Sequence, residues 1–379
     1  MSPLFSRWIA SSAAAAALAA LAGGCATPLE SARANFDLGR LEQAEASLHP
    51  DRVREEDRVL CLMERGAIRQ ARGDFEGSTR DFVAAADLIE QWETYSVSRG
   101  AASLAINDAA LRYRGAPYER TLLHAMTALN HLALGHWENA AVEARRLLKT
   151  LDPETLDGYP DCAFARVVAG FCLEMIGDGS NARRQYEAAA ALNPEARGVA
   201  NSGRAGGSGE LAVFVLLGRL PGGGSADSPP TGTPPRVEIE VPGFAPVSVQ
   251  PLTDTLDLAF TTAQRELARR VAKTVARVMI KDQIAEEVRR SADNDFLGDL
   301  TLFVLIGLLE RPDVRRWETL PRFLYAARLP YPNEPVPIRL RVRNPGGGLW
   351  QTMDLAPPTV CRGRTRILLY REIPPRLYY

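Results

Sequence analysis

The chain has 379 residues, with 45 Lys and Arg against 46 Asp and Glu, so its formal net charge is −1. A general nucleic-acid binder would carry a strong basic excess, and this composition gives no support for that class. The length suits two or three domains, and four His and five Cys leave few groups for metal or thiol chemistry.

The first segment carries a cation, Arg7, then an Ala-rich apolar run from Ile9 to Leu21, then Ala22, Gly23, Gly24 and Cys25. A positive start, a short apolar stretch and a small-residue exit describe a secretory signal peptide. The run is too short to span a bilayer core, which takes about 20 apolar residues. Leu21-Ala22-Gly23-Gly24-Cys25 resembles the bacterial lipobox. That resemblance implies acylation of the Cys25 thiol and a mature chain that begins there. No Asp follows Cys25, which by the same resemblance implies an outer-membrane destination with the body facing the periplasm. Acyl chains contribute about 0.8 kcal/mol per buried methylene, enough for stable anchoring when several are attached.

Residues 28 to 196 are rich in Ala, Leu, Glu and Arg with apolar positions at helical spacing. A short pattern recurs at Gly39, Gly73, Gly135 and Gly177, each with a small residue five positions on. Gly permits the turn out of one helix and the small residue lets the next pack closely, so the pattern predicts helical hairpins. It resembles the tetratricopeptide repeat. Gly66, Phe82 and Ala85 take the required offsets around Gly73, as do Gly170, Ala182, Tyr186, Ala189 and Pro194 around Gly177. The copies at Gly39 and Gly135 are degenerate. The turn glycines are 34, 62 and 42 residues apart, so the array is irregular, with an extra segment near residues 91 to 118.

Gly, Ser and Ala dominate residues 193 to 210, which read as a linker. "LAVFVLLGRL" (211–220) reads as a buried strand, and "RVEIEV" (236–241) alternates like one, with "VSVQ" (247–250) as another. The stretch 253 to 292 is helical, with Leu267, Val271, Val275, Val278, Ile284 and Val288 in an apolar stripe and Lys273, Arg277 and Lys281 along another face. "FLGDLTLFVLIGLLE" (296–310) reads as a buried helix, too short for a span. "RFLYAARL", "VPIRLRVR", "LWQTMDL" and "RTRILLYREI" return to strands. The expected fold is an α-helical tetratricopeptide-like array followed by an α+β domain. The boundaries are a signal peptide at 1–24, the array at 25–196, a linker at 197–210 and the α+β domain at 211–379.

Three blocks together resemble a bacterial family of tetratricopeptide-containing outer-membrane lipoproteins with no established activity. They are "YRGAPYERTLLHAMTALNHLALGHWENAAVEARR" (113–146), "ELAVFVLLGRLP" (210–221) and "DVRRWETLPRFLYAARLP" (313–330). The resemblance implies a role in the cell envelope, beside lipoproteins of the curli-secretin-like and penicillin-binding-protein-activator types. The chain departs from the family in its Gly/Pro insertion at 221–235 and in the Gly-Gly-Gly hairpin at 346–348.

Tyr113, Arg114, Tyr118, Glu119 and Arg120 form the densest polar-aromatic cluster, just before a helix. They read as partner-binding residues, or as capping and packing with Glu119 in the first turn. Arg315 and Trp317 precede Leu320-Pro321; a Trp beside cations can stack on a partner or glycan, or anchor the helix-to-strand corner. His124, His131 and His136 are 7 and 5 apart, which is no recognised ligand spacing, so no metal is expected. The cysteines after Cys25 are apolar-flanked and read as core residues. There is no GxSxG, HExxH, phosphate loop or SxxK, so no catalytic constellation and no cofactor beyond the lipid on Cys25 is expected. The sequence therefore points to an anchored adaptor that binds an envelope protein. The alternative is a peptidoglycan- or polysaccharide-binding lipoprotein. Nucleic acid is not expected as a partner.

Overall fold

A computed structural model of the protein describes residues 27–98, 112–200, 208–222, 229–230, 232–288, 313 and 315–376. Side chains are described to Thr94 in the helix that ends at Ser98 and to Ala272 in the helix that ends at Val288. Cys25 and the apolar segment 296–310 lie outside the described residues, as do the side chains of Lys273, Arg277 and Lys281.

The N-terminal half is helical. It comprises α1 (Pro28–Asp37), α2 (Leu41–Ala46), α3 (Arg58–Ala71), α4 (Phe75–Ser98), α5 (Pro117–Ala133), α6 (Trp137–Thr150), α7 (Pro153–Leu156), α8 (Ala163–Met175), α9 (Gly179–Leu192) and α10 (Arg197–Ala200). The helices pair as hairpins, α1 with α2, α3 with α4, α5 with α6 and α8 with α9. Gly39, Gly73, Gly135 and Gly177 sit at these turns with φ of 70°, 80°, 74° and 88°, a conformation that costs glycine nothing. Inside two hairpins a second glycine is needed for contact rather than for φ. A Cβ on Gly66 would lie 2.4 Å from the Phe82 ring, and one on Gly170 would lie 2.9 Å from Tyr186.

The second half is mainly strands: β1 (Gly209–Leu217), β2 (Arg236–Glu240), β3 (Val247–Val249), β4 (Thr253–Asp254), then the helix α11 (Thr255–Val288), then β5 (Phe323–Tyr331), β6 (Ile338–Arg343), β7 (Leu349–Leu355), β8 (Cys361–Arg362) and β9 (Thr365–Arg371). One sheet has the order β4-β5-β1-β9-β8 and the other β3-β2-β6-β7. The first is mixed: β1 runs antiparallel to β5 and parallel to β9. The second is antiparallel throughout.

Strand β1 is buried at all nine positions, and period-two alternation explains why. Leu211, Val213, Val215 and Leu217 face the second sheet and share a core with Val237, Ile239, Leu340 and Val342. Ala212, Phe214 and Leu216 face the helices and share a core with Leu122, Phe164, Val168 and Phe171. Phe214 meets Phe164 and Phe171 edge-on, with centroids 6.3 and 5.5 Å apart, the arrangement that ring quadrupoles favour. The molecule is thus layered: helices, mixed sheet, antiparallel sheet. The stretch 197–210, expected as a linker, holds α10 and the first two residues of β1, and one apolar cluster runs across it.

The strands expected from the sequence are present among the described residues, and the helix expected over 253–292 spans Thr255–Val288. The short pairings of β4 and β8 were not foreseen, nor was the parallel pairing of β1 with β9. Of the four cysteines among the described residues, Cys61, Cys162 and Cys172 are buried and free, whereas Cys361 is exposed on β8 and corrects the expectation of a core residue there.

Candidate functional site

The residues singled out by sequence converge on one place. Pro117 opens α5, and Glu119 in its first turn accepts the Ala116 N–H at 2.7 Å, closing the helix start. The same carboxylate accepts the Tyr113 hydroxyl at 2.5 Å, the Tyr118 hydroxyl at 3.4 Å and the backbone N–H of Trp317 at 2.8 Å. A second buried carboxylate, Glu64 on α3, takes the next two amides, Glu318 N–H at 3.0 Å and Thr319 N–H at 3.1 Å. Glu64 is itself held by the Arg33 guanidinium, at 2.9 and 2.7 Å. Two glutamates from the helical layer therefore hold three consecutive backbone amides of the segment that feeds β5.

Trp317 is fully buried, edge-on to Phe82 of α4 with centroids 5.5 Å apart. Its indole N–H donates to Thr319 at 3.1 Å. Arg315 bridges Asp57 at 2.8 Å and Asp313 at 2.7 Å and lies over the Tyr113 ring. Burial pushes the Glu119 carboxyl above its ordinary range, outweighing the pull of the Tyr113 hydroxyl and the two amides. Burial and the neighbouring carboxylate push Tyr113 and Tyr118 well up, so both hydroxyls stay protonated and donate.

Tyr113, Tyr118, Glu119 and Trp317 are buried, and the polar atoms described above are spent on one another. They do not face outward for a partner, which corrects the expectation of an exposed recognition cluster: the alternative, packing and corner anchoring, describes what they do here. Arg114 is half-buried, with its Nε unpartnered. Arg120 differs from the rest. It pairs with Glu93 at 2.5 Å and borders an open cleft between α4, α5 and α6.

That cleft encloses about 490 Å³. Asp87, Glu90 and Glu93 of α4 line it on one side, and Arg120, His124, Arg146 and Lys149 line it from α5 and α6. A second hollow, beside α9, has Arg328 and Glu174 at its edge. Arg328 is held by Glu210 at 2.7 Å and Glu174 at 2.7 Å, and Thr365 and Tyr186 satisfy the same two carboxylates. This network ties β5, β1 and β9 to α8 and α9.

Sequence reading missed Glu64, Glu210 and Arg328. The signal was present. Glu64 follows Leu60 by four and precedes Ala67 by three, so it stands on the apolar face of α3. Glu210 and Arg328 interrupt strands that are otherwise apolar. A charge set among buried apolar neighbours marks a paired buried group.

Burial pushes the Cys61 thiol up to about 12 and the Cys162 thiol up to about 11, which removes their nucleophilic form at neutral pH. Among the described residues, no group of three or more His, Cys, Asp or Glu is placed to hold a metal ion, and no helix is long and apolar enough to cross a membrane. No known protein-family model matches the chain, and no curated protein or solved structure matches it.

Proposed function

We propose that the protein is a lipid-anchored adaptor of the bacterial cell envelope, without catalysis of its own, tethered to the outer membrane through Cys25 with its body in the periplasm. The helical layer is a short, irregular tetratricopeptide-like array. Support for the array comes from its glycine-turned hairpins and from the close Gly66–Phe82 and Gly170–Tyr186 contacts. Support for anchoring comes from the sequence at 21–25.

The observation that carries the binding reading is where large apolar side chains reach the surface. Leu267 and Val271, four apart on α11, are 52% and 55% exposed. Leu349 and Trp350 on β7 are 54% and 40% exposed, and β7 pairs only with β6 among the described strands. Apolar residues grouped on an outward helix and on an edge strand suit association with another protein. The helix face that shares a core with the mixed sheet is not available for this. The alternative, a polysaccharide-binding role, has less support, because its candidate stacking residues Tyr118 and Trp317 are buried.

The test is fractionation with in-cell crosslinking of the full chain, tagged after Tyr379. The expected result is outer-membrane recovery that Cys25→Ser abolishes, and a crosslinked envelope protein that the Leu267→Asp/Val271→Asp variant loses. Recovery of the unaltered chain in the soluble cytoplasm, or a crosslinking pattern that neither variant changes, would overturn the proposal.

A further inference from the structure

The cleft between α4, α5 and α6 holds opposite charges apart. Three carboxylates on α4 face four basic side chains on α5 and α6, yet only one pair closes across it, Glu93 with Arg120 at 2.5 Å. His124 and Arg146 both turn to Glu143, at 2.8 and 2.9 Å. Asp87, Glu90 and Lys149 make no ion pair among the described residues, although all three line the cleft. Asp87 and Glu90 are three apart on one helix face, where like charges repel.

Facing charges that do not meet define an occupant by complementarity. It carries a cation at one end and an anion at the other. The volume of about 490 Å³ falls in the range of small-ligand sites. A tripeptide spans about 10 Å when extended and has this charge arrangement at its termini.

We propose that this cleft is a binding site for short peptides with free ends, with the ammonium against Asp87 and Glu90 and the carboxylate against Lys149 and Arg146. Thr150 and Thr155 border the site; the Thr150 hydroxyl is already paired with Thr121 at 2.8 Å. The proposal extends the binding reading above but is tested separately from it, since it concerns purified protein and a small ligand. An envelope partner found without peptide binding would remove the cleft site and leave the adaptor standing; the converse would do the opposite.

The experiment is isothermal titration of the purified full chain with alanyl-leucyl-alanine and with its N-acetylated and C-amidated forms. The free peptide is expected to bind, and each cap to weaken it about tenfold, as loss of a charge-assisted contact does. The Asp87→Asn/Glu90→Gln variant should bind free and acetylated peptide equally. Lys149→Met should narrow the difference between free and amidated peptide. Because both readouts are ratios between ligands, a variant that only loses stability cannot imitate them. No binding at millimolar peptide, or equal affinity for capped and free forms in the unaltered protein, would overturn the proposal.

Discussion

Glu119 accepts hydrogen bonds from three stretches of chain: the Tyr113 side chain, the first turn of α5 and the Trp317 amide. Glutamine would offer one acceptor oxygen where the carboxylate offers two, so a buried donor loses its partner. Glu119→Gln is expected to lower stability by about 1–3 kcal/mol, read from the urea midpoint. The pH dependence has a definite sign. Folding raises the Glu119 pKa above its ordinary value of 4.5, so just above that value the folded chain holds more protons than the unfolded one. Its contribution is full below the ordinary value and is lost as pH rises through the folded one. The stability gap between the unaltered chain and Glu119→Gln should therefore narrow as pH rises above 4.5. On β5, Arg328→Met removes the cation paired with Glu210, whose side chain is wholly buried. A loss of about 3–5 kcal/mol is expected, and Arg328→Met/Glu210→Met should recover much of it; both are read from denaturant midpoints.

Among the elements, the hairpins test how two glycine roles differ. Gly66→Ala gains about 1 kcal/mol of helix propensity but sets a methyl 2.4 Å from the Phe82 ring. Phe82 cannot retreat, since it is fully buried and lies edge-on to Trp317. Overpacking costs about 1–3 kcal/mol, so a net loss of stability by thermal melt is expected despite the better helix former. Local pattern made such elements legible. Helical spacing marks the helices, the period of two marks β2, and an unbroken apolar run marks β1. The pairing was less legible. Glu210 of β1 lies opposite Thr365 of β9, which joins them 155 residues apart, and no short window of sequence carries that information. Tyr113 and Glu119 stand out in one stretch of sequence and Trp317 in another, and each stretch reads either as partner-binding or as packing. Their polar-aromatic composition is the same whether the partner is another molecule or a distant segment of the same chain.

At the scale of the whole molecule, the mixed sheet is the shared element. Its one face completes the core of the helical layer and its other face completes the core of the antiparallel sheet. The amides of residues 317–319 and the Arg328 network fasten the same joint with hydrogen bonds and buried charge. Separating the layers would expose Phe164, Phe171 and Phe214 together, at roughly 1.5–3 kcal/mol for each large apolar side chain. The helices and the sheets should accordingly unfold as one unit. The direct test is pulse hydrogen exchange read by mass spectrometry across a urea series, comparing peptides from α5 and α8 with peptides from β1 and β5. The account predicts loss of protection in all four at one urea midpoint. Strands that open at a clearly lower midpoint than the helices, with the helices still protected, would contradict it.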